Sequence, residues 1–222
     1  MTETIAPADM TLDELRPVLV EALLPNVAFD GWSETALDAA AAAIDIPADR
    51  ARLVFPGGTT EMIDAWILKT DQDMAAEMAR RGAAAMKIRD RITTAIRIRI
   101  EHARPHKEAA RRALAILAQP HNAALSARTL WRSADAMWRA AGDTATDFNH
   151  YTKRLSLGGV YAATLLYWLQ DESDDDADTF AFLGRRIDTI MQVEKAKARF
   201  SAQAGNRPRL SRFLGRLRYP AA

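Results

Sequence analysis

Apolar positions along the chain recur at helical spacing almost from end to end, and strand-like alternation is absent. Thr11 and Glu14 form a capping box, and Leu15, Val18, Leu19, Ala22 and Leu23 then share one helical face. Pro17 lies inside that face, so the first turn is expected to stand apart or to bend. After Pro25 the stretch Asp30-Gly31-Trp32 reads as a turn, and Ser33 caps a second helix to about residue 44 whose face is almost bare alanine. A short third helix covers residues 47–54, and Phe55-Pro56-Gly57-Gly58 leads into a fourth over 60–81, with Met62, Ile63, Trp66, Ile67, Met74 and Met78 largely inside.

Next, Ile88, Ile92, Ile96 and Ile100 step every four residues, with Arg89, Arg91, Arg97 and Arg99 between them, the pattern of an amphipathic helix with an arginine-rich back. A sixth helix spans 106–119 and stops at Pro120. The seventh, over 124–140, carries Leu125, Leu130, Trp131, Met137 and Trp138. Gly142 then takes the place after a helix end where φ is positive, and Thr144 with Asp147 opens the eighth helix in a T-x-x-D pattern. On that helix, running to about residue 170, Phe148, Tyr151, Leu155, Ala162 and Leu165 lie along one face, with Asp147, His150 and Arg154 toward its flank. Gly158-Gly159 costs about 1 kcal/mol per glycine in a helix interior, which predicts close approach by another backbone or a ligand. Residues 171–178 (DESDDDAD) read as a solvated acidic linker that also complements the positive N-terminus of a ninth helix over 179–202, which buries Phe180, Leu183, Ile187 and Ile190.

This pattern predicts an all-α chain of about nine helices plus a C-terminal amphipathic helix. Composition agrees: 49% of residues are hydrophobic, alanine is abundant and β-branched runs are few. No apolar run approaches the roughly 20 residues that cross a bilayer, and no secretory signal is legible. With no cysteine, disulfides, thiolate catalysis and zinc-thiolate sites are excluded, and a reducing compartment is permitted. The expected divisions are a disordered tail over 1–10, an N-terminal subdomain over 11–65, a helical core over 66–204 and a basic tail over 205–222.

Charge changes the picture at both ends. Residues 1–65 carry only Arg16, Arg50 and Arg52 against twelve acids, a net of −9, so the remainder carries +10. The three short N-terminal helices ending in Phe-Pro resemble the helix-turn-helix domain of TetR-type repressors, which would make Ala48–Val54 the DNA-reading helix. Duplex binding needs phosphates neutralised by Lys and Arg, and a −9 subdomain repels them, so no nucleic-acid partner is expected. In the tail, Leu210, Phe213, Leu214 and Leu217 fall at helical spacing, Arg209, Arg212 and Arg216 occupy the other side, Arg207 and Arg218 bring the arginines to five, and no acid follows residue 205. Near an anionic membrane each such arginine contributes about 1 kcal/mol, and peripheral attachment is the preferred reading, with a nucleic-acid patch as its rival.

Candidate chemistry is sparse. The four histidines are His102, His106, His121 and His150; Pro105 interrupts the i, i+4 pair, and Asp147-x-x-His150 has no second copy to build a di-iron site. No nucleophile elbow, P-loop or dinucleotide fingerprint occurs, so neither a cofactor nor catalysis is expected. Periodicity alone does not tell whether Trp131, Trp138, Trp168, Tyr161, Tyr167 and Met137 are core or pocket wall.

The stretch AGDTATDFNHYTKR, residues 141–154, crowds Asp147, Asn149, His150, Tyr151, Lys153 and Arg154 into two turns. Together with PHN at 120–122, the pair Met137-Trp138 and the DGW and FPGG stretches, it resembles the ubiquinone (coenzyme Q) biosynthesis lipid-binding proteins over roughly residues 15–193. The resemblance implies a TetR-like fold, usually dimeric, that holds an isoprenoid lipid and assists a membrane-bound di-iron hydroxylase. It would sit on the inner face of a bacterial membrane, or on the matrix side of the mitochondrial inner membrane. On this chain the implied lipid pocket draws on Leu117, Leu130, Trp131, Met137, Trp138, Tyr161, Leu165 and Trp168. The implied partner surface draws on Met137, Asp147, His150 and Tyr151, and membrane attachment on Leu210, Arg212, Phe213, Leu214, Arg216 and Leu217. Other members can carry tryptophan just before the tyrosine where this chain has His150, which offers less apolar area than an indole. A ligand-responsive TetR-like regulator is the alternative function, and a catalyst of quinone modification a further one.

Overall fold

The computed structural model describes residues 6–143 and 148–205, and among them every long element is an α-helix. These are α1 (Leu12–Asp30), α2 (Glu34–Ala43), α3 (Ala48–Val54), α4 (Thr59–Arg80), α5 (Ile88–Ala103), α6 (Lys107–Leu117), α7 (Ala123–Ala140), α8 (Phe148–Trp168) and α9 (Ala177–Gly205). The capping box at Thr11 and Glu14 forms as the sequence predicts, and Ser33 caps α2 through the Ala36 N–H. Within the segment expected to be a disordered tail, Pro7–Asp9 form a 3-10 turn, and Arg50 donates to the carbonyls of Ala8 and Met10.

The break expected near Pro17 does not occur, and α1 also runs through Pro25. Each proline costs about 3 kcal/mol in a helix interior. Six buried side chains on α1 (Leu15, Leu19, Val20, Leu23, Leu24, Val27) contribute about 1.5–3 kcal/mol apiece and outweigh both. They pack with the alanine face of α2, with α3 and with the first half of α4, and Trp32 meets Trp66 of α4 with ring centroids 5.4 Å apart and planes tilted by 37°. A second apolar cluster joins the rest of α4 to α5, α7, α8 and α9, and Trp66 touches both clusters.

The acidic stretch after α8 is a pinned corner rather than a solvated linker. Asp171 accepts from Ser173 N (2.8 Å), Ser173 Oγ (2.6 Å), Thr179 N (2.8 Å) and Thr179 Oγ1 (2.5 Å), so its carboxylate satisfies donors in the first turn of α9. Asp176 is buried, accepting from the Trp168 indole at 3.1 Å and from Arg104 Nε at 2.7 Å, while Lys107 Nζ donates to the Asp171 carbonyl at 2.6 Å. At the other end of α8, Gly142 has φ +87°, as the sequence requires. Arg91 lies against it, donating to the carbonyl of Ala141 at 2.8 Å and to that of Met86 at 2.9 Å; a Cβ at Gly142 would stand 3.0 Å from its Nη1.

The face of α8 that turns inward is rotated from the expected one. Leu157, Tyr161, Thr164 and Trp168 are buried with Arg154, whereas Tyr151 and Leu155 are exposed. Arg154 was expected at the flank; it is drawn in by Asp135 (2.6 Å) and Asp143 (3.1 Å), which satisfy its charge under α7. Gly158 faces α7 without tight approach, a Cβ there meeting Leu130 at 3.5 Å, and Gly159 has no neighbour within 4 Å, so no backbone approaches either closely among the described residues.

Candidate functional site

Where α4 to α8 converge, small side chains leave space that larger ones would have filled. Ala110 and Ala113 on α6 and Ala162 on α8 border a cavity of about 240 Å3. That exceeds the ~150 Å3 in which an apolar cavity already accepts an aromatic ring. Leu114, Leu117, Leu130, Leu165 and Trp168 make most of its wall apolar. Of the residues expected to hold lipid, Leu117, Leu130, Tyr161, Leu165 and Trp168 line this cavity.

The other three expected wall residues lie elsewhere. Trp138 borders a separate cavity of about 190 Å3 with Ile88, Ile92, Leu157 and Ile187, its indole donating to the Lys153 carbonyl at 3.0 Å. Met137 is 0% exposed within the second apolar cluster, so it reaches neither the cavity nor a partner surface; the packing on α7 turns it inward. Trp131 is 37% exposed and belongs to a surface patch, with its ring 6.0 Å from Tyr151 and 6.4 Å from His150. His150 and Tyr151 themselves meet edge to face at 5.1 Å. With Tyr151 60% and Leu155 73% exposed, these side chains form an aromatic and apolar outer face at the α7–α8 corner. Asp147, and the tail residues Leu210, Arg212, Phe213, Leu214, Arg216 and Leu217, lie outside the described residues.

One end of the cavity is polar. Arg99, expected on the solvated back of α5, is 3% exposed, donating from Nε to Tyr161 Oη at 2.9 Å, from Nη2 to Ser133 Oγ at 3.3 Å and from Nη1 to Asp71. Arg132 stands 2.9 Å from Asp64 Oδ1 and 3.5 Å from Asp71 Oδ2, neither contact aligned as a hydrogen bond, and donates from Nη2 to the Asp64 carbonyl at 3.1 Å. Burial works against the charge of Arg99, but Tyr161 and Asp71 more than offset it and hold its pKa above the ordinary value. Burial likewise pushes the Tyr161 phenol up, with Arg99 opposing, so it stays protonated at neutral pH. This cluster escaped the sequence reading, although Ile92, Ile96, Arg99 and Ala103 share one helical face, as do Asp71, Met74 and Met78. Two opposite charges on apolar stripes are the signal of a buried pair.

His102 and His106, the spaced pair of the sequence, border a polar cleft with Glu21, Lys69 and Asp73. Burial lowers the pKa of His106. Among the described residues no three His, Asp or Glu side chains gather as a metal-binding group. The arginines of the helix-turn-helix-like face are engaged within the protein: Arg52 bonds Asp38 at 2.5 Å, Arg16 bonds Glu61 at 2.5 Å, and Arg50 holds the N-terminal turn.

Comparison with known proteins places this geometry. Residues 123–194 match the model of the COQ9 family. The ubiquinone biosynthesis protein COQ9, mitochondrial, of Bos taurus is 31% identical over 192 residues, covering 82% of this chain and 59% of its own length. Its Homo sapiens counterpart is 30% identical with the same coverage, and that of Rattus norvegicus is 42% identical over 106 residues, 48% of this chain and 33% of its own. The chain thus spans about three fifths of the length of the first two relatives. Among solved structures, a TetR transcriptional regulator from Nitrosomonas europaea ATCC 19718 superposes with a TM-score of 0.64 at 23% identity, over 79% of this chain and 97% of that one, a likeness of fold. The matched family region falls on α7, α8 and much of α9, which supply the aromatic patch and a wall of the cavity, and the chain is therefore similar to the COQ9 ubiquinone biosynthesis proteins and shares the TetR-type fold.

Proposed function

We propose that this chain is an accessory protein of ubiquinone biosynthesis that holds an isoprenoid or quinone lipid in the cavity between α4 and α8 and presents it to a di-iron hydroxylase at a membrane surface. The observation that carries this reading is the cavity itself, apolar along most of its wall and built at five of the positions where the sequence resemblance expects a lipid. Such space in a close-packed interior costs stability, so its upkeep by alanines favours a ligand over a packing defect. The exposed Trp131–His150–Tyr151 patch offers the hydroxylase an aromatic docking surface, of the composition that concentrates binding energy at interfaces. The basic tail over 205–222 would hold the protein to the bilayer.

Organic extraction of the purified protein followed by mass spectrometry tests the lipid directly. A polyprenyl quinone intermediate or related isoprenoid at near-stoichiometric amount supports the reading; bulk phospholipid alone, or no lipid, removes the cavity from it. The regulator alternative gains nothing from α3, whose arginines are spent inside the protein, and it predicts a salt-sensitive electrophoretic shift of duplex DNA.

A further inference from the structure

The polar end of the cavity holds two hydroxyl protons that no protein group receives, and the carboxylate oxygens left without a hydrogen bond, Asp64 Oδ1 and Asp71 Oδ2, belong to residues that do not line it. Tyr161 Oη and Ser133 Oγ both accept from Arg99 and donate to no protein group, and both residues are more than nine-tenths buried. A hydroxyl that accepts one hydrogen bond still has a proton to place. Arg99 places three of its five N–H groups, on Tyr161, Ser133 and Asp71. Tyr161, Ser133 and Arg99 all border the cavity.

The charge at this end is balanced. Arg99 and Arg132 face Asp71 and Asp64, and the exposed Arg128 reaches Asp64 only from outside, at 3.7 Å. An anionic head would meet a guanidinium already paired with a carboxylate and would lose its hydration without gaining a free counter-charge. A cationic head would meet the Arg99 guanidinium on the cavity wall, while the two unbonded carboxylate oxygens belong to residues that do not line it. An uncharged carbonyl, by contrast, needs one or two donors and no net charge.

We infer that this end is a donor pole that takes an uncharged oxygen acceptor, such as a quinone or ester carbonyl, from the hydroxyls of Tyr161 and Ser133, while the apolar remainder of the ligand lies along Leu114, Leu117 and Leu165. This inference rests on the lipid-binding reading above and adds to it which ligand head the cavity selects. The polar pole distinguishes oxygenated lipids from hydrocarbon, because leaving buried donors unmet is costly and filling them is not.

Equilibrium dialysis of the full chain with three probes of matched tail tests it: a decyl-substituted benzoquinone, decylbenzene and 4-decylbenzoate. The quinone is expected to bind tightest, and Tyr161→Phe and Ser133→Ala each to weaken it about three- to tenfold while leaving decylbenzene unchanged. Retained decylbenzene binding shows that a variant pocket is intact. Independently of any variant, the carbonyl stretch of isotope-labelled quinone bound to the natural protein is expected at lower wavenumber than in hexane. Equal affinity for quinone and decylbenzene, tightest binding of the benzoate, or an unshifted carbonyl overturns the donor pole and leaves the lipid pocket standing. Failure of all three probes to bind overturns both.

Discussion

Arg99 on α5 and Asp71 on α4 form an ion pair that is almost completely withdrawn from solvent, 3% and 4% exposed, at the polar end of an otherwise apolar cavity. Such a pair is stabilising only relative to its own broken forms. Arg99→Met leaves Asp71 with Arg132 at poor alignment and is expected to cost about 3–5 kcal/mol in urea unfolding. The double variant Arg99→Met, Asp71→Leu is expected to recover most of that loss, because both buried charges go together. Equal destabilisation by the single and double variants would show that the pair is not the unit of interaction.

Asp171 predicts an acid limb. Burial tends to raise its pKa, but donation by Ser173 and Thr179 outweighs this and holds the carboxyl well below the usual range. A depressed folded-state pKa means stability that is complete above the unfolded value, about 3.9, and is lost as pH falls below it. The natural protein should therefore lose stability progressively below about pH 4, and Asp171→Asn should flatten that dependence while costing about 1–3 kcal/mol at neutral pH. Thermal midpoints measured from pH 3 to 7 give the comparison, and parallel curves for the two proteins would remove Asp171 as the source.

The cavity should be closed by bulk placed at its edge. Ala162, half-buried on α8, borders it, and Ala162→Phe is expected to reduce co-purified lipid at least about fivefold with little change in thermal midpoint, since the ring enters existing space. Undiminished lipid in that variant would place the ligand elsewhere.

The aromatic corner should act separately. Trp131→Ala and Tyr151→Ala are each expected to weaken capture of the hydroxylase about tenfold or more, and to leave lipid content unchanged. Loss of lipid in either variant would argue that patch and cavity are one site.

Deleting residues 208–222 should reduce binding to vesicles containing anionic lipid, most at low salt, where screening is weakest. Sedimentation with vesicles of graded anionic content reads this out; unchanged binding would move membrane attachment off the tail.

The sequence disclosed the helices because caps and apolar spacing are local properties. Thr11, Ser33, Gly142 and the isoleucine steps of α5 each mark an element within one or two turns. What it did not disclose were properties of pairs distant in the chain. Arg99 reads as solvated until Asp71, 28 residues earlier, is seen opposite it. Trp131 and Met137 both leave the expected cavity wall for the same reason. Six positions apart on α7, Trp131 turns to the surface and Met137 into the second apolar cluster, and only the packing of neighbouring helices decides which side each takes. The acidic run 171–178 looks like a linker because its partners Arg104, Lys107 and Trp168 lie outside it.

Gly142 and Arg91 are joined by a constraint on the order in which they can change. A side chain at 142 meets a left-handed backbone cost of about 1–2 kcal/mol and a guanidinium 3.0 Å away. Shortening Arg91 removes the second obstacle and leaves the first, while freeing the carbonyls of Ala141 and Met86 that it satisfies. Each step alone costs stability, so glycine and arginine support one another at this corner. The aromatic patch beyond this corner thus owes its place on the surface in part to two residues that belong to neither the patch nor the cavity.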